Sequence, residues 1–207
     1  MRVKSPRYFL QSLSLALLGT VLAFAGAPAL ADTTRIVVIG DSNIQGKGVW
    51  PSDAYPAQLE KALRAKGLDV SVTNAGKNGD TSAGVLARLD SSVPAGTDVA
   101  IVSVGVNDVV LAGLSPETAR ANVGEIAQRL RSRGMEVIVL PTGKKFQGSI
   151  ADDPKYHVEG AGGGSGPVRG TTNWHLTPAG YAIVVARTLP EVMAAVARAQ
   201  KKKRAKG

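Results

Sequence analysis

Short runs rich in Val and Ile alternate along this chain with longer segments of helical period, and no other feature constrains its fold as tightly. Residues 35–40 (RIVVIG), 70–73, 98–104 (DVAIVSV) and 136–140 (EVIVL) read as strands. Their apolar positions run together instead of alternating, as in strands buried on both faces. Residues 54–66 place Tyr55, Leu59, Ala62 and Leu63 at helical spacing, and Gly67 stops the segment. Residues 81–89 form a short helix with Val85, Leu86 and Leu89 inward. Ser115-Pro116-Glu117 opens a long helix with a capping hydroxyl, a Pro at the first helical position and an acid in the first turn. Its inward face is Ala119, Val123, Ile126, Ala127 and Leu130, and it ends at Gly134. Thr177-Pro178 begins a last helix towards Gln200, with a kink expected at Pro190. The alternation predicts an α/β domain with a mostly parallel sheet covered by helices on both faces.

Charge separates the ends from the body. The formal net charge of +9 resembles that of a nucleic-acid binder. Yet Arg2, Lys4 and Arg7 sit at one end and Lys201, Lys202, Lys203, Arg204 and Lys206 at the other. Between them the chain is close to neutral, and no basic stripe with interleaved aromatics marks a nucleic-acid face. The first cations precede an apolar stretch densest from residue 13 to 26, which closes as Ala29-Leu30-Ala31. This is the pattern of a secretory signal peptide over residues 1–31, with export to the periplasm or beyond. Residues 32–199 then form one domain, and residues 200–207 a basic, frayed tail able to touch an anionic surface weakly. Cysteine is absent, which excludes disulfides, a thiol nucleophile and Cys-based metal sites. Residues 141–176 break the alternation and include the Gly-rich stretch 160–166. No strand precedes that stretch and no Lys-Ser/Thr follows it, so it reads as a loop beside the site and not as a phosphate cradle.

The strand ends carry the chemistry. In an open parallel sheet, ligands bind beyond the carboxyl ends of the strands. Those ends read Gly40-Asp41-Ser42, then residues 74–81 with Gly79, then Gly105-Val106-Asn107-Asp108, and the fourth leads into the loop that delivers His175. Acyl transfer needs a hydroxyl nucleophile, a base for its proton and donors for the oxyanion. Ser42 is the candidate nucleophile, and Gly79 and Asn107 are candidate oxyanion donors. The chain has two histidines, of which His175 is the candidate base and His157 a surface or loop residue. Asp80 and Asp108 read as helix caps or turn residues.

These blocks, Gly40-Asp41-Ser42, Gly79 within NAGKNGDTSAGVLARL, Gly105-Val106-Asn107-Asp108 and His175 within HLTPAGY, resemble those of the GDSL, or SGNH, hydrolases. The second block is most similar to the bacterial secreted arylesterase, thioesterase and lysophospholipase branch. The resemblance implies a three-layer α/β/α sandwich of flavodoxin type and a serine esterase needing neither metal nor cofactor. It implies Ser42 as nucleophile and His175 as base. It implies an oxyanion hole from Ser42, Gly79 and Asn107, with Asp41 and Gly105 as motif support. The implied substrate is a small acyl ester or thioester, with an acylated envelope glycan as the alternative.

Two departures matter. The family places an Asp three residues before the catalytic His, and here Thr172 stands there. In a Ser-His-Asp site, neutralising that anion costs roughly 10⁴ in turnover. A main-chain carbonyl orienting a Ser-His dyad, an acid from the long loop (Asp152, Asp153 or Glu159), or an impaired module that only binds glycan or lipid would each account for Thr172. The residue after Ser42 is Asn43 where the family has Leu, which predicts a more polar pocket entrance.

Overall fold

The Val/Ile runs pair side by side and in parallel. In the computed structural model, residues 33–150, 154–156 and 175–205 are described, all within the compact unit Asp32–Gly207. The strands are β1 (Thr34–Gly40), β2 (Val70–Gly76), β3 (Val99–Ser103) and β4 (Glu136–Val139). Their order is β2-β1-β3-β4, every pair parallel. The chain winds outward from β1 to β2, then crosses back to lay β3 on the other side of β1. That reversal creates a crevice at the carboxyl ends of β1 and β3, where Gly40 is in register with Ser103.

The helices are α1 (Ser42–Gln45), α2 (Tyr55–Ala65), α3 (Ser82–Ala87), α4 (Leu89–Ser92), α5 (Val106–Val110), α6 (Pro116–Ser132), α7 (Lys144–Gln147) and α8 (Pro178–Arg204). Successive side chains of a strand point to opposite faces, so each strand feeds two cores. Ile36, Val38 and Ile101 pack with Leu59 and Leu63 of α2 and Val184, Val192 and Val196 of α8. Val37, Ile39, Ala100 and Val102 pack with Val85, Leu89, Ile126 and Leu130 on the other face. Each fully buried Val, Ile or Leu stabilises the fold by roughly 1.5–3 kcal/mol over its exposed state. The expected three layers are therefore present.

Several details depart from the sequence expectation. β2 runs on to Gly76, because its pairing with β1 continues through Asn74, Ala75 and Gly76. The helix expected over residues 81–89 breaks at Arg88 into α3 and α4. Of the basic residues expected to fray, Lys201, Lys202, Lys203 and Arg204 form the last turn of α8 instead, and Lys206 lies outside the described residues. Lys202 and Arg198 pair with Glu136 at the start of β4, at 2.5 and 2.7 Å, and Lys203 pairs with Asp98 at 2.7 Å. Two carboxylates at the neighbouring starts of β3 and β4 thus anchor the charge run, and cations suit the negative end of a helix dipole. Pro190 lies inside α8 without ending it. The expected leader lies outside the described residues, as do the Gly-rich stretch 160–166, Asp152, Asp153, His157, Glu159 and Thr172.

Candidate active site

Ser42 owes its place to two adjacent features of the chain. β1 ends at Gly40, where a Cβ would lie 2.1 Å from the Ser103 carbonyl oxygen, so only glycine lets β1 and β3 stay paired to their ends. Asp41 then caps α1: its carboxylate accepts from the Asn43 N–H at 3.0 Å. Ser42 is therefore the first residue of a helical turn at the crevice, 9% exposed.

His175 reaches it from the far end of the chain. Thr177 caps α8 through the Gly180 N–H, the Thr177 N–H donates to the Tyr156 carbonyl at 2.8 Å, and Leu176 is buried. These contacts fix the residues flanking His175, whose Nε2 lies 2.9 Å from Ser42 Oγ. Among the described residues, nothing hydrogen-bonds its Nδ1. Burial and then the charge of Lys47 hold the imidazole down to about 4.

A polar network ties the other candidates to the same strand end. Gly79 occupies a turn that closes with Asp80 N–H donating to the Lys77 carbonyl at 3.1 Å. Its φ of +74° is the left-handed region that side chains avoid. Lys77 N–H donates to the Gly40 carbonyl at 3.0 Å, which sets this turn beside Ser42. Asn107 Nδ2 donates to the Asp80 carbonyl at 2.8 Å. An amide carries two N–H bonds, so one remains for a substrate oxygen. Gly105, with φ of +126°, precedes α5 and turns the chain there.

The remaining acids are structural. Asp108 is fully buried and accepts from the Ser82 N–H at 2.8 Å and from the Ser82 hydroxyl, which Asn122 also contacts at 2.9 Å. Asp80 pairs with Arg88 at 2.7 Å, and Arg88 also donates to the Gly40 carbonyl at 3.2 Å. Sequence reasoning missed Arg88, Ser82 and Asn122. The readable signal was polar residues at positions 82 and 88, in helical phase with inward Val85. Asp41 is 1% exposed, and burial raises its carboxyl to about 6 against the hydrogen bonds from Asn43. Asn43 corrects an expectation: it is 3% exposed, turned inward against Asp41, and does not line a pocket entrance. Among the described residues, no group of three or more His, Asp or Glu is placed to hold a metal ion.

Residues 38–161 match the GDSL-like Lipase/Acylhydrolase family. The esterase TesA of Pseudomonas aeruginosa is 35% identical over 128 residues, covering 60% of this chain and 62% of that protein. An arylesterase of Vibrio mimicus is 30% identical over 127 residues, covering 61% of this chain and 63% of its own length. The match thus spans less than two thirds of either relative. The crystal structure of TesA superposes with a TM-score of 0.58 at 28% identity, over 76% of this chain and 97% of that one.

Proposed function

The chain belongs to the GDSL-like lipase/acylhydrolase family, and on that premise we propose that it is an exported serine esterase cleaving carboxylic esters or thioesters through a Ser42–His175 dyad. The observation that carries this reading is the 2.9 Å contact between His175 Nε2 and Ser42 Oγ. Ser42 Oγ attacks the acyl carbon as its proton passes to Nε2. The carbonyl oxygen becomes an oxyanion facing the Ser42 and Gly79 N–H groups and the free N–H of Asn107; one such donor is worth roughly 10²–10³ in turnover. The tetrahedral adduct collapses, the bond to the alcohol or thiol breaks, and the leaving group takes the proton from His175. Water then attacks the acyl-Ser42 ester, gives its proton to Nε2, and the acid leaves as Ser42 regains its hydrogen.

An acylated glycan would be favoured by an exposed polar Asn43 and a free basic tail. Asn43 is buried, and the tail is helix as far as Arg204, ion-paired through Lys202 and Lys203. A simple acyl ester is the better reading. The relatives named esterase and arylesterase support the same class. Residues 1–31 serve as the export leader.

Hydrolysis of a short p-nitrophenyl ester tests the proposal. Ser42→Ala and His175→Ala should each reduce turnover at least a thousandfold while leaving the fold intact by circular dichroism. Unchanged turnover in Ser42→Ala overturns the assignment, and absent labelling of the wild type by a fluorophosphonate favours the impaired module.

A further inference from the structure

In a parallel sheet all carboxyl ends share one edge, so the loops after β1, β2, β3 and β4 emerge together around Ser42. The side chains they present are unusual for a surface. Trp50, in the loop after α1, is 77% exposed. Val110 and Leu111, on the turn that follows Asn107, are 60% and 66% exposed, with Val109 beside them at 44%. Four of the five exposed large hydrophobic residues of the described chain therefore sit on the catalytic edge.

Among the described residues, the exposed charge on this edge is positive, with the half-buried Asp53 the one acid that is not buried. Lys77 follows β2, Lys47 follows β1 and Lys145 follows β4, so cations flank the apolar residues along the strand order. Lys77 and Lys145 are exposed. In residues 41–54, 77–81, 104–115 and 140–149 the acids are Asp41, Asp53, Asp80 and Asp108. Asp41, Asp80 and Asp108 are buried, and Asp80 is already paired with Arg88. On the opposite edge Glu136 and Asp98 pair with Arg198, Lys202 and Lys203 of α8.

An exposed Trp, an aliphatic turn and a ring of lysines are the complement of an anionic lipid surface. Amphipathic indole rings settle at the headgroup level, aliphatic side chains enter the acyl boundary, and each lysine near the surface adds its own attraction. We propose that the catalytic edge docks on an anionic phospholipid surface, with Trp50, Val110 and Leu111 seated at the interface and Lys77 and Lys145 on the phosphates. Docking in this orientation turns the crevice towards the lipid, so an ester held in that surface reaches Ser42 without crossing water. Only this last step rests on the esterase reading; the docking itself needs no catalysis.

The test is co-sedimentation of the Ser42→Ala chain, without its first 31 residues, with vesicles of phosphatidylcholine alone or mixed equally with phosphatidylglycerol. Binding should require phosphatidylglycerol and fall as salt rises. The pair Lys77→Ser and Lys145→Ser should weaken it roughly 25-fold, at about fivefold per lysine. Trp50→Ala should weaken it roughly tenfold. On a Ser42 background, Trp50→Ala and Lys145→Ser should leave turnover of a soluble short ester unaltered. No binding, equal binding to neutral vesicles, or retention by an acidic polysaccharide in place of vesicles overturns the proposal. Loss of soluble-ester turnover in Trp50→Ala or Lys145→Ser also overturns it, placing those residues in the substrate cleft. Vesicle binding by a wild type that hydrolyses no ester would sink the esterase reading and leave the docking face standing.

Discussion

His175 is the residue on which the chemistry turns, and its surroundings have a measurable consequence. Burial disfavours the imidazolium and the Lys47 cation opposes it further, so the ring is held to about 4 against an ordinary 6.5. A base so depressed is neutral, and competent, at every pH above that value. The acid limb of kcat/KM for a soluble ester should therefore lie near pH 4. Lys47→Gln removes one of the two causes and should move the limb upward towards 6.5. A limb that stays in place in that variant removes Lys47 from the account. The blocks that carry Ser42, Gly79, Asn107 and His175 were legible because each ends a strand or leads into a helix with small, turn-forming residues. The roles of Arg88 and Asn122 were not, because each depends on a partner brought close only by folding, 48 residues away at the Gly40 carbonyl and 40 away at Ser82.

At the scale of elements, strong periodicity made the long pieces legible. α6 spans Pro116–Ser132 with Ser115 accepting from the Thr118 N–H, as its capping sequence predicts. Short elements escaped because four or five residues carry no period: α1, α5 and α7 are of this kind. The end of α8 was misread for a different reason. A run of like charges viewed alone should repel itself, and nothing local reveals that Glu136 and Asp98 wait at the strand ends. Exposed ion pairs contribute about 0.2–1 kcal/mol each. Removing residues 201–207 should therefore lower the unfolding free energy by roughly 1–2 kcal/mol, by these pairs and the Lys203 bond to the Thr33 carbonyl. Urea denaturation at low and high salt checks this. The loss should shrink in high salt, and a truncated chain as stable as the full one would return the segment to a frayed tail.

For the whole molecule, the parallel pairing and the two-sided packing followed from contiguous apolar strands, while the order β2-β1-β3-β4 and the pairing of the α8 cations with Glu136 and Asp98 required the fold. The folded body begins beside the end of α8, where Gln200 donates to the Thr34 hydroxyl at 3.2 Å. A leader ending at Ala31 would leave just ahead of that contact. N-terminal sequencing of the protein recovered from the periplasm or medium should read Asp32 first, and retention of Met1 there would remove the cleaved leader from the proposal. The same junction governs the order of folding. β1 is central in the sheet yet first in the chain, and α8, which covers one of its faces, comes last. A chain emerging from the ribosome holds its middle strand half-clad until its final helix follows. The core cannot close early, so a chain exported as proposed would still be slack enough to thread through a narrow channel. His175 also arrives late, so on the proposed mechanism Ser42 would be without its base, and inert towards esters, until the last part of the chain has been made.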